Sequence, residues 1–230
     1  MPRGDAAKKG DQAAPSSARV KAVLRTFDDE VARMRHAFDN CPGDSKDIKW
    51  VKRKLVHMAA VDQFMRLQIE HIHARGFYEP ETQLFWEGFD ERWVAIDLKN
   101  REELKELLSR YEWFKISEFG PEADHAAWLI AQHADRDVHF QKQVLQTLEK
   151  LLPLGETSGS NYAYLYDRVA VAENRLQRFG TQGRCVGPGR WEPWPSEEPQ
   201  DLQARRDALG LGPLEENIRR VSKQCPGTDA

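Results

Sequence analysis

The chain has 230 residues, with 34 lysines and arginines against 37 aspartates and glutamates and a formal net charge of −3. This length suits one fairly large domain, or one domain with appendages, and allows a sizeable core. The balanced charge argues against a nucleic-acid binder, because no positive field attracts phosphates. No apolar stretch approaches the ~20 residues that span a bilayer, and the start lacks the apolar region of a signal peptide. We therefore expect a soluble, cytoplasmic protein without nucleic-acid or membrane partners.

The chain contains three cysteines, Cys41, Cys185 and Cys225. Three cysteines leave one unpaired whatever the others do. Their wide spacing matches neither a disulfide framework nor a set of zinc ligands. The sequence therefore predicts free thiols.

The N-terminal part of the chain changes character near Val20. Residues 1–18 have no apolar period, so they cannot offset their ordering entropy by burial, and we predict a disordered tail. A helix follows, because apolar residues recur at steps of three and four up to Cys41-Pro42-Gly43. A second helix is predicted from about Ser45 to Arg75, ended by Gly76. The apolar positions of the first helix are Val20, Val23, Leu24, Phe27, Val31 and Met34.

The middle of the chain is rich in aromatic residues. Glu81 to Val94 forms either a short helix or a loop packed on the core. Asp97 or Asn100 can cap a following helix that ends near Tyr111. Two more helices are predicted over 122–133 and 137–152, the second capped by Asp137.

Near the C-terminal end the pattern predicts a small β element. After a short helix over 161–168, Val169, Val171, Leu176 and Phe179 flank Glu173-Asn174-Arg175, which indicates a β-hairpin with its turn there. The stretch 191–194 could add a third strand, and two short helices follow over 201–209 and 214–221. The predicted fold class is mainly α with a β-hairpin or three-stranded element (α+β). We expect a single domain over 19–222, with a flexible tail over 223–230.

A polar pair continues the apolar stripe of the 122–133 helix. Gln132 and His133 lie four residues after Trp128 and Leu129, so both are expected to point inward. Asp135 could orient the His133 ring and favour its protonated form, which would give an acid/base pair. Alternatively, His133 is a core histidine with satisfied hydrogen bonds and Asp135 caps the next turn.

Two patterns invite a metal assignment. The first is His133-x-Asp135-x-Asp137-x-His139. Its alternating residues lie across a helix junction, so they do not converge on one point as two histidines four apart on a helix do. Asp137 also fits the N-cap role. Glu70-x-x-His73 is half of a di-iron pattern whose second half is absent. We therefore predict no metal and no cofactor.

Other polar residues stand at the edges of predicted elements. Asp62 and Arg66 are four residues apart, which suits an exposed intrahelical ion pair. Alternatively, the neighbouring Gln63 suggests that this edge of the helix contacts the core. Asp167-Arg168 lies at the predicted junction of helix and hairpin, where side chains often face a cleft. Gln177, Thr181 and Gln182 surround the second predicted strand, where they could contact a ligand or hold the hairpin to the helices.

Together these residues resemble a bacterial family catalogued as domain of unknown function 6624. The resemblance covers roughly Leu55 to Ile218 and implies little about activity; the N-terminal tail and Gly183 to Gly189 fall outside it. It is carried by Asp62-Gln63 with Arg66, Trp113, Gly120, Ala127-Trp128-Leu129, Gln132-His133-Ala134-Asp135, Phe140-Gln141, Tyr164-Leu165-x-Asp167-Arg168-Val169, Gln177-x-x-Gly180-Thr181-Gln182 and Arg205-Arg206-x-Ala208-x-Gly210-Leu211-x-Pro213-Leu214.

The leading hypothesis is an enzyme that acts on a small polar or peptide-derived substrate. His133 would be the general acid/base, Asp135 or Asp167 would orient it, and Arg168 or Arg66 would hold an anionic group. Neutral amides are poor metal ligands but good readers of polar organic groups, so glutamines would fix the substrate. The alternatives are a non-catalytic binding or accessory protein and a metal-dependent hydrolase; no feature specifies the oligomeric state. The candidate binding residues are Asp62, Gln63, Arg66, Gln132, Gln141, Arg168, Gln177, Thr181 and Gln182.

Overall fold

The computed structural model describes residues 14–72, 77 and 79–225. These residues form nine α-helices and one two-stranded antiparallel sheet, which confirms the predicted mainly helical class with a small β element near the C-terminal end. None of the described helices is both long and apolar enough to cross a membrane. The elements are α1 (Ala14–Asp39), α2 (Ile48–Ile72), α3 (Glu79–Leu108), α4 (Ile116–Phe119), α5 (Pro121–Gln132), α6 (Val138–Leu151), α7 (Gly159–Ala172), β1 (Gly183–Gly187), β2 (Arg190–Pro193), α8 (Leu202–Ala208) and α9 (Leu214–Ser222).

The chain divides into two compact units. The first takes in the chain up to Cys41 together with Val61–Ile96, and the second takes in Pro42–Ala60 and the chain from Asp97. The core of the first unit combines aliphatic side chains with an aromatic group, in which the ring of Phe89 contacts those of Phe27 and Phe85.

The core of the second unit surrounds α5. This helix packs against α4, α6 and α7. Ala123, Ala127 and Ala131 recur every four residues on α5 and are fully buried, so their small side chains let neighbouring helices approach closely. Trp113 and Phe140 fill the space around them.

The aromatic region is part of one long helix. α3 runs without a break over 30 residues, so neither Asp97 nor Asn100 caps a helix start as predicted. Phe85, Phe89 and Trp93 recur every four residues, a spacing that places them on one helix face. Asn100 is buried, and its side-chain amide donates to the carbonyl of Met58 at 3.4 Å.

The predicted hairpin over 169–179 is wrong. α7 continues to Ala172, because Val169 and Leu165 are buried one turn apart on the same helical face. Asn174 has a φ of 56° and ends the helix in a left-handed conformation. The amide of Arg175 donates to the carbonyl of Ala170 at 2.8 Å, as in a Schellman motif. The turn signal in the sequence therefore belongs to a helix C-terminus.

The sheet lies further along the chain than predicted. β1 and β2 form a hairpin in which Gly183 pairs with Pro193 and Cys185 with Trp191. The predicted third strand over 191–194 coincides largely with β2. The two C-terminal helices are present as α8 and α9.

The prediction of free thiols is wrong for two of the three cysteines. Cys185 and Cys225 form a disulfide, although 40 residues separate them in sequence, because α9 returns to pack against β2. The amide of Trp191 also donates to the Ser222 hydroxyl at 3.0 Å. Cys225, in the predicted C-terminal tail, is 6% exposed, and Cys41 keeps a free thiol.

Both predicted tails fall partly outside the described residues. α1 begins at Ala14, earlier than the apolar period indicated, while 1–13 and 226–230 lie outside. The predicted end of the second helix at Gly76 also lies outside.

Candidate functional site

Gln141 joins the end of α5 to the start of α6. Its side-chain amide nitrogen donates toward the backbone carbonyls of Ala131 and Gln132, at 3.3 and 2.8 Å, and toward the carboxylate of Asp135 at 3.2 Å. The last carbonyls of a helix have no partner within it, so Gln141 caps the C-terminus of α5 from the neighbouring helix. It does so while fully buried.

Asp135 and Arg168 connect this junction to α7. The Nη1 group of Arg168 donates to both carboxylate oxygens of Asp135, at 2.7 and 2.8 Å. The side chain of Asp135 is 60% exposed and that of Arg168 is 25% exposed. The ion pair therefore lies at the surface, where water screens it and its charges remain accessible.

His133 lies between Gln132 and Asp135 at the same junction. It is the C-cap of α5, and its backbone amide donates to the carbonyl of Leu129 at 3.1 Å. Its side chain is half-buried. We call Gln132, His133, Asp135, Gln141 and Arg168 the junction cluster.

The junction cluster contains buried polar atoms that the described residues leave without a hydrogen-bond partner. They are the amide oxygens of Gln132 and Gln141 and the Nε group of Arg168. The orientation of the Gln141 amide is fixed, because its other end faces three oxygen acceptors. The cluster thus contains two amide acceptors and one cationic donor whose hydrogen-bonding capacity the described residues leave unused.

Asp167 has partners of a different kind. Its carboxylate accepts hydrogen bonds from the amides of Arg178, Phe179 and Thr181 and from the Thr181 hydroxyl, at 2.7 to 3.2 Å. The side chain is completely buried, and burial raises the pKa of the carboxyl group while these hydrogen bonds oppose the shift. These contacts anchor the segment that carries the three amides, and the catalytic role of Asp167 stays a prediction.

Gln177 closes the same segment, which we call the anchored loop (177–182). Its side chain donates to the carbonyls of Gln182 and Trp194, at 2.9 and 2.6 Å, and accepts the amide of Gln182 at 2.9 Å. Gly180 has a φ of 67°, a conformation that favours glycine. Gln177 therefore holds the backbone of this segment, while the Thr181 hydroxyl donates to Asp167 at 2.9 Å and the side chain of Gln182 donates to the Thr181 hydroxyl at 3.2 Å. The structure groups these three residues with Asp167.

Asp62, Gln63 and Arg66 lie in the first unit. Arg66 binds Asp62 through two nitrogens, each at 3.1 Å, and Gln63 donates to the same carboxylate at 2.8 Å. The guanidinium also lies over the ring of Trp93, at 4.6 Å from its centre. The predicted intrahelical pair is present, with Asp62 only 1% exposed.

Asp124 is a buried acid that the sequence reasoning missed. It accepts hydrogen bonds from the indole of Trp113 at 2.7 Å, from the side chain of Asn161 at 2.8 Å and from the amide of Ser158 at 3.2 Å. Burial raises its pKa, and these bonds oppose the shift. Its place in the first turn of α5 was the available signal, but such acids are common at helix starts.

The residues of the alternating histidine and aspartate pattern have separate roles. Asp137 caps α6 by accepting the amide of Phe140 at 3.0 Å, as predicted, and it binds Lys105 at 2.8 Å. Over the part of the chain that the structure describes, no three histidine, cysteine or acidic residues are grouped so that they could hold a metal ion. His73 lies outside that part, as does the side chain of Glu70.

Fold and geometry define a mainly helical protein with a polar cluster at a helix junction and a buried acid beneath an anchored loop. The chain belongs to the Family of unknown function (DUF6624), which it matches over residues 49–226. The family resemblance in the sequence is thereby confirmed. No curated protein and no solved structure matches the chain.

Proposed function

We propose that the junction cluster binds a small polar molecule or the polar part of a peptide. The observation that carries this proposal is the pair of buried amide oxygens, on Gln132 and Gln141, without a hydrogen-bond partner in the described chain. An unpaired buried acceptor costs about 1–3 kcal/mol, which a ligand N–H or O–H group would recover. Arg168 adds a positive charge for an anionic group.

Within this proposal, His133 is the candidate general acid/base. It is half-buried, it is the C-cap of α5 at the same junction as Gln132, and imidazole is the side chain that most often acts as a general acid/base. Asp135 binds Arg168 and Gln141, and its part is to hold the arginine in place. We assign Asp167 no part in this chemistry, because the anchored loop occupies its carboxylate.

Thermal-shift screening of the full chain tests the binding proposal. The probes are single amides, dipeptides, nucleosides and sugars, because a ligand that binds the folded chain raises its melting temperature by mass action. Gln132→Leu should weaken binding of a hit by about tenfold to a hundredfold. Gln143→Leu, an exposed position on α6, is the matched control. Equal affinity in wild type and Gln132→Leu would contradict the proposal.

His133→Ala separates the enzyme from the alternative of a non-catalytic binding protein. If His133 moves a proton, the variant should bind the ligand and lose turnover, whereas a binding protein shows no turnover in either form. The metal-dependent hydrolase is tested by elemental analysis of the purified protein, and it fails if no stoichiometric metal is present.

The cytoplasmic location also stays a prediction. Structural disulfides persist mainly in oxidising compartments. Thiol titration of protein taken directly from cells therefore tests the location: a reducing compartment should give Cys185 and Cys225 as thiols, and an oxidising one should not.

A further inference from the structure

A polar cavity lies between α7 and α9, outside the junction cluster. Its volume is about 410 Å³, enough for a small organic molecule. Ser160 and Tyr164 line it from α7, while Glu216, Asn217 and Arg220 line it from α9. We call these five residues the α9 site. None of them belongs to the junction cluster.

Three of these side chains bind one another and are held in fixed positions. Arg220 donates to the amide oxygen of Asn217 at 2.7 Å and to the hydroxyl oxygen of Tyr164 at 3.1 Å. The Tyr164 hydroxyl in turn donates to the same Asn217 oxygen at 3.1 Å. This closed arrangement fixes the arginine, so less side-chain entropy is lost when a ligand binds it.

The α9 site retains hydrogen-bond donors for a ligand. The side-chain nitrogen of Asn217 has no partner in the described chain, although the residue is only 7% exposed. Arg220 makes both of its bonds through Nη2, and no carboxylate of the described residues pairs with it. A guanidinium beside an amide N–H is the donor set that recognises a carboxylate.

A negative charge lines the same cavity. Glu216 is one helical turn before Arg220 on α9, a spacing at which the two charges commonly pair. Instead, Arg220 binds Tyr164 and Asn217, while Glu216 lies 3.9 Å from Arg219 with its side chain 65% exposed. Residues four apart on a helix have Cβ atoms about 6 Å apart, so the cavity is lined by a cation and an anion from adjacent turns of one helix face.

We infer that the α9 site binds a zwitterionic α-amino acid. The ligand carboxylate binds Arg220 and the amide nitrogen of Asn217, and the ligand ammonium group faces Glu216. A phosphate dianion is disfavoured, because the Glu216 carboxylate would repel it. The cavity volume leaves room for a side chain.

Two contacts at the C-terminal end of α9 hold this helix to the β1–β2 hairpin. The Ser222 hydroxyl accepts the amide of Trp191, and the Cys185–Cys225 disulfide joins the chain just after α9 to the hairpin. These contacts hold the helix that carries Glu216, Asn217 and Arg220.

Isothermal titration of the full chain with each of the twenty common L-amino acids tests the inference. For the amino acid that binds most tightly, the N-acetyl derivative lacks the ammonium group and the carboxamide derivative lacks the carboxylate. We expect each derivative, and each of Arg220→Gln and Glu216→Gln, to weaken binding by about tenfold to a hundredfold. Arg219→Gln removes the same charge from a neighbouring position that does not line the cavity. Because Arg219 lies 3.9 Å from Glu216, this variant frees Glu216 and should bind at least as tightly as wild type.

Several results would overturn the inference. They are no binding of any amino acid, binding of inorganic phosphate in place of amino acids, derivatives that both bind as tightly as the parent amino acid, or equal losses in Arg219→Gln and Arg220→Gln. If Arg220→Gln fails to fold, Glu216→Gln and the two derivatives still decide, because Glu216 is exposed. A failure here leaves the Gln132→Leu test of the junction cluster unaffected.

Discussion

Asp167 and Arg206 bind the backbone amide and the backbone carbonyl of the same residue, Phe179. The Asp167 carboxylate accepts the amide of Phe179 at 3.0 Å, and the Arg206 guanidinium donates to the carbonyl of Phe179 at 2.6 Å. Both side chains are buried, with exposures of 0% and 2%. The negative charge of Asp167 and the positive charge of Arg206 thus lie on either side of Phe179 in the anchored loop, where each compensates the other.

Removal of either charge is expected to destabilise the fold. Asp167→Asn places an amide N–H₂ group among buried N–H donors, and Arg206→Met leaves the Asp167 charge uncompensated. Each variant should lower the free energy of unfolding in urea by about 1–3 kcal/mol, the cost of leaving buried hydrogen-bonding groups unpaired. The free energy of unfolding lost by the double variant should be smaller than the sum of the two single losses by at least about 0.5 kcal/mol. Asp201→Asn, at an exposed position, is the control, and strict additivity would contradict the coupling.

Asp124 should make stability depend on pH. Its pKa is raised above the usual 3.8, so the folded state binds a proton more readily than the unfolded state. Its contribution is fully present below pH 3.8 and is lost as pH rises through the folded pKa. We therefore expect the stability of wild type relative to Asp124→Asn to fall as pH rises above this value, and then to level off. Urea unfolding of both proteins across this window measures the difference; a relative stability that rises with pH would contradict the assignment.

The sequence predicted most helices because their apolar residues keep a period near 3.6. On α1, Val20, Leu24, Phe27 and Val31 are all buried, as that period requires. The hairpin was misplaced for a local reason. Val169 and Val171 have the β-branched alternation of a strand, and Asn174 is typical of a tight turn, but packing of Val169 keeps the segment helical.

The candidate site was predictable in part. Gln132, Asp135, Gln141 and Arg168 meet in the structure because the last turn of α5 faces α6 and α7. Asp167 adjoins Arg168 in sequence, but neighbours on a helix point about 100° apart, so its carboxylate faces the anchored loop. A sequence does not show which of two adjacent polar residues faces outward.

The disulfide could not be predicted from spacing, since it depends on α9 returning to the hairpin. Cys185→Ser should lower the free energy of unfolding by about 2–4 kcal/mol, because the bond closes a long loop in the unfolded chain. Cys41→Ser leaves the bond intact and should unfold like wild type. Thiol titration in denaturant is the independent check: one thiol is expected before reduction and three after it. Three thiols before reduction, in protein purified under oxidising conditions, would contradict the pairing.

Gln141 allows the structural and binding contributions of the junction cluster to be separated. Gln141→Leu keeps a side chain of similar size but removes the donor that caps the carbonyls of Ala131 and Gln132, so the free energy of unfolding should fall by about 1–3 kcal/mol. Asp135→Asn should cost less than about 1 kcal/mol, because its ion pair with Arg168 is exposed.

Gln146→Leu, at an exposed position on the same helix, is the control for the leucine substitution. Gln141→Glu gives the sharper test, because a glutamate would face three oxygen acceptors and favour its protonated form. Its stability relative to wild type should therefore fall as pH rises above the ordinary range of a carboxyl group, about 4 to 5. Chemical unfolding at pH 4 and pH 7 measures this difference. If Gln141→Glu is as stable relative to wild type at pH 7 as at pH 4, Gln141 does not cap α5 as a donor.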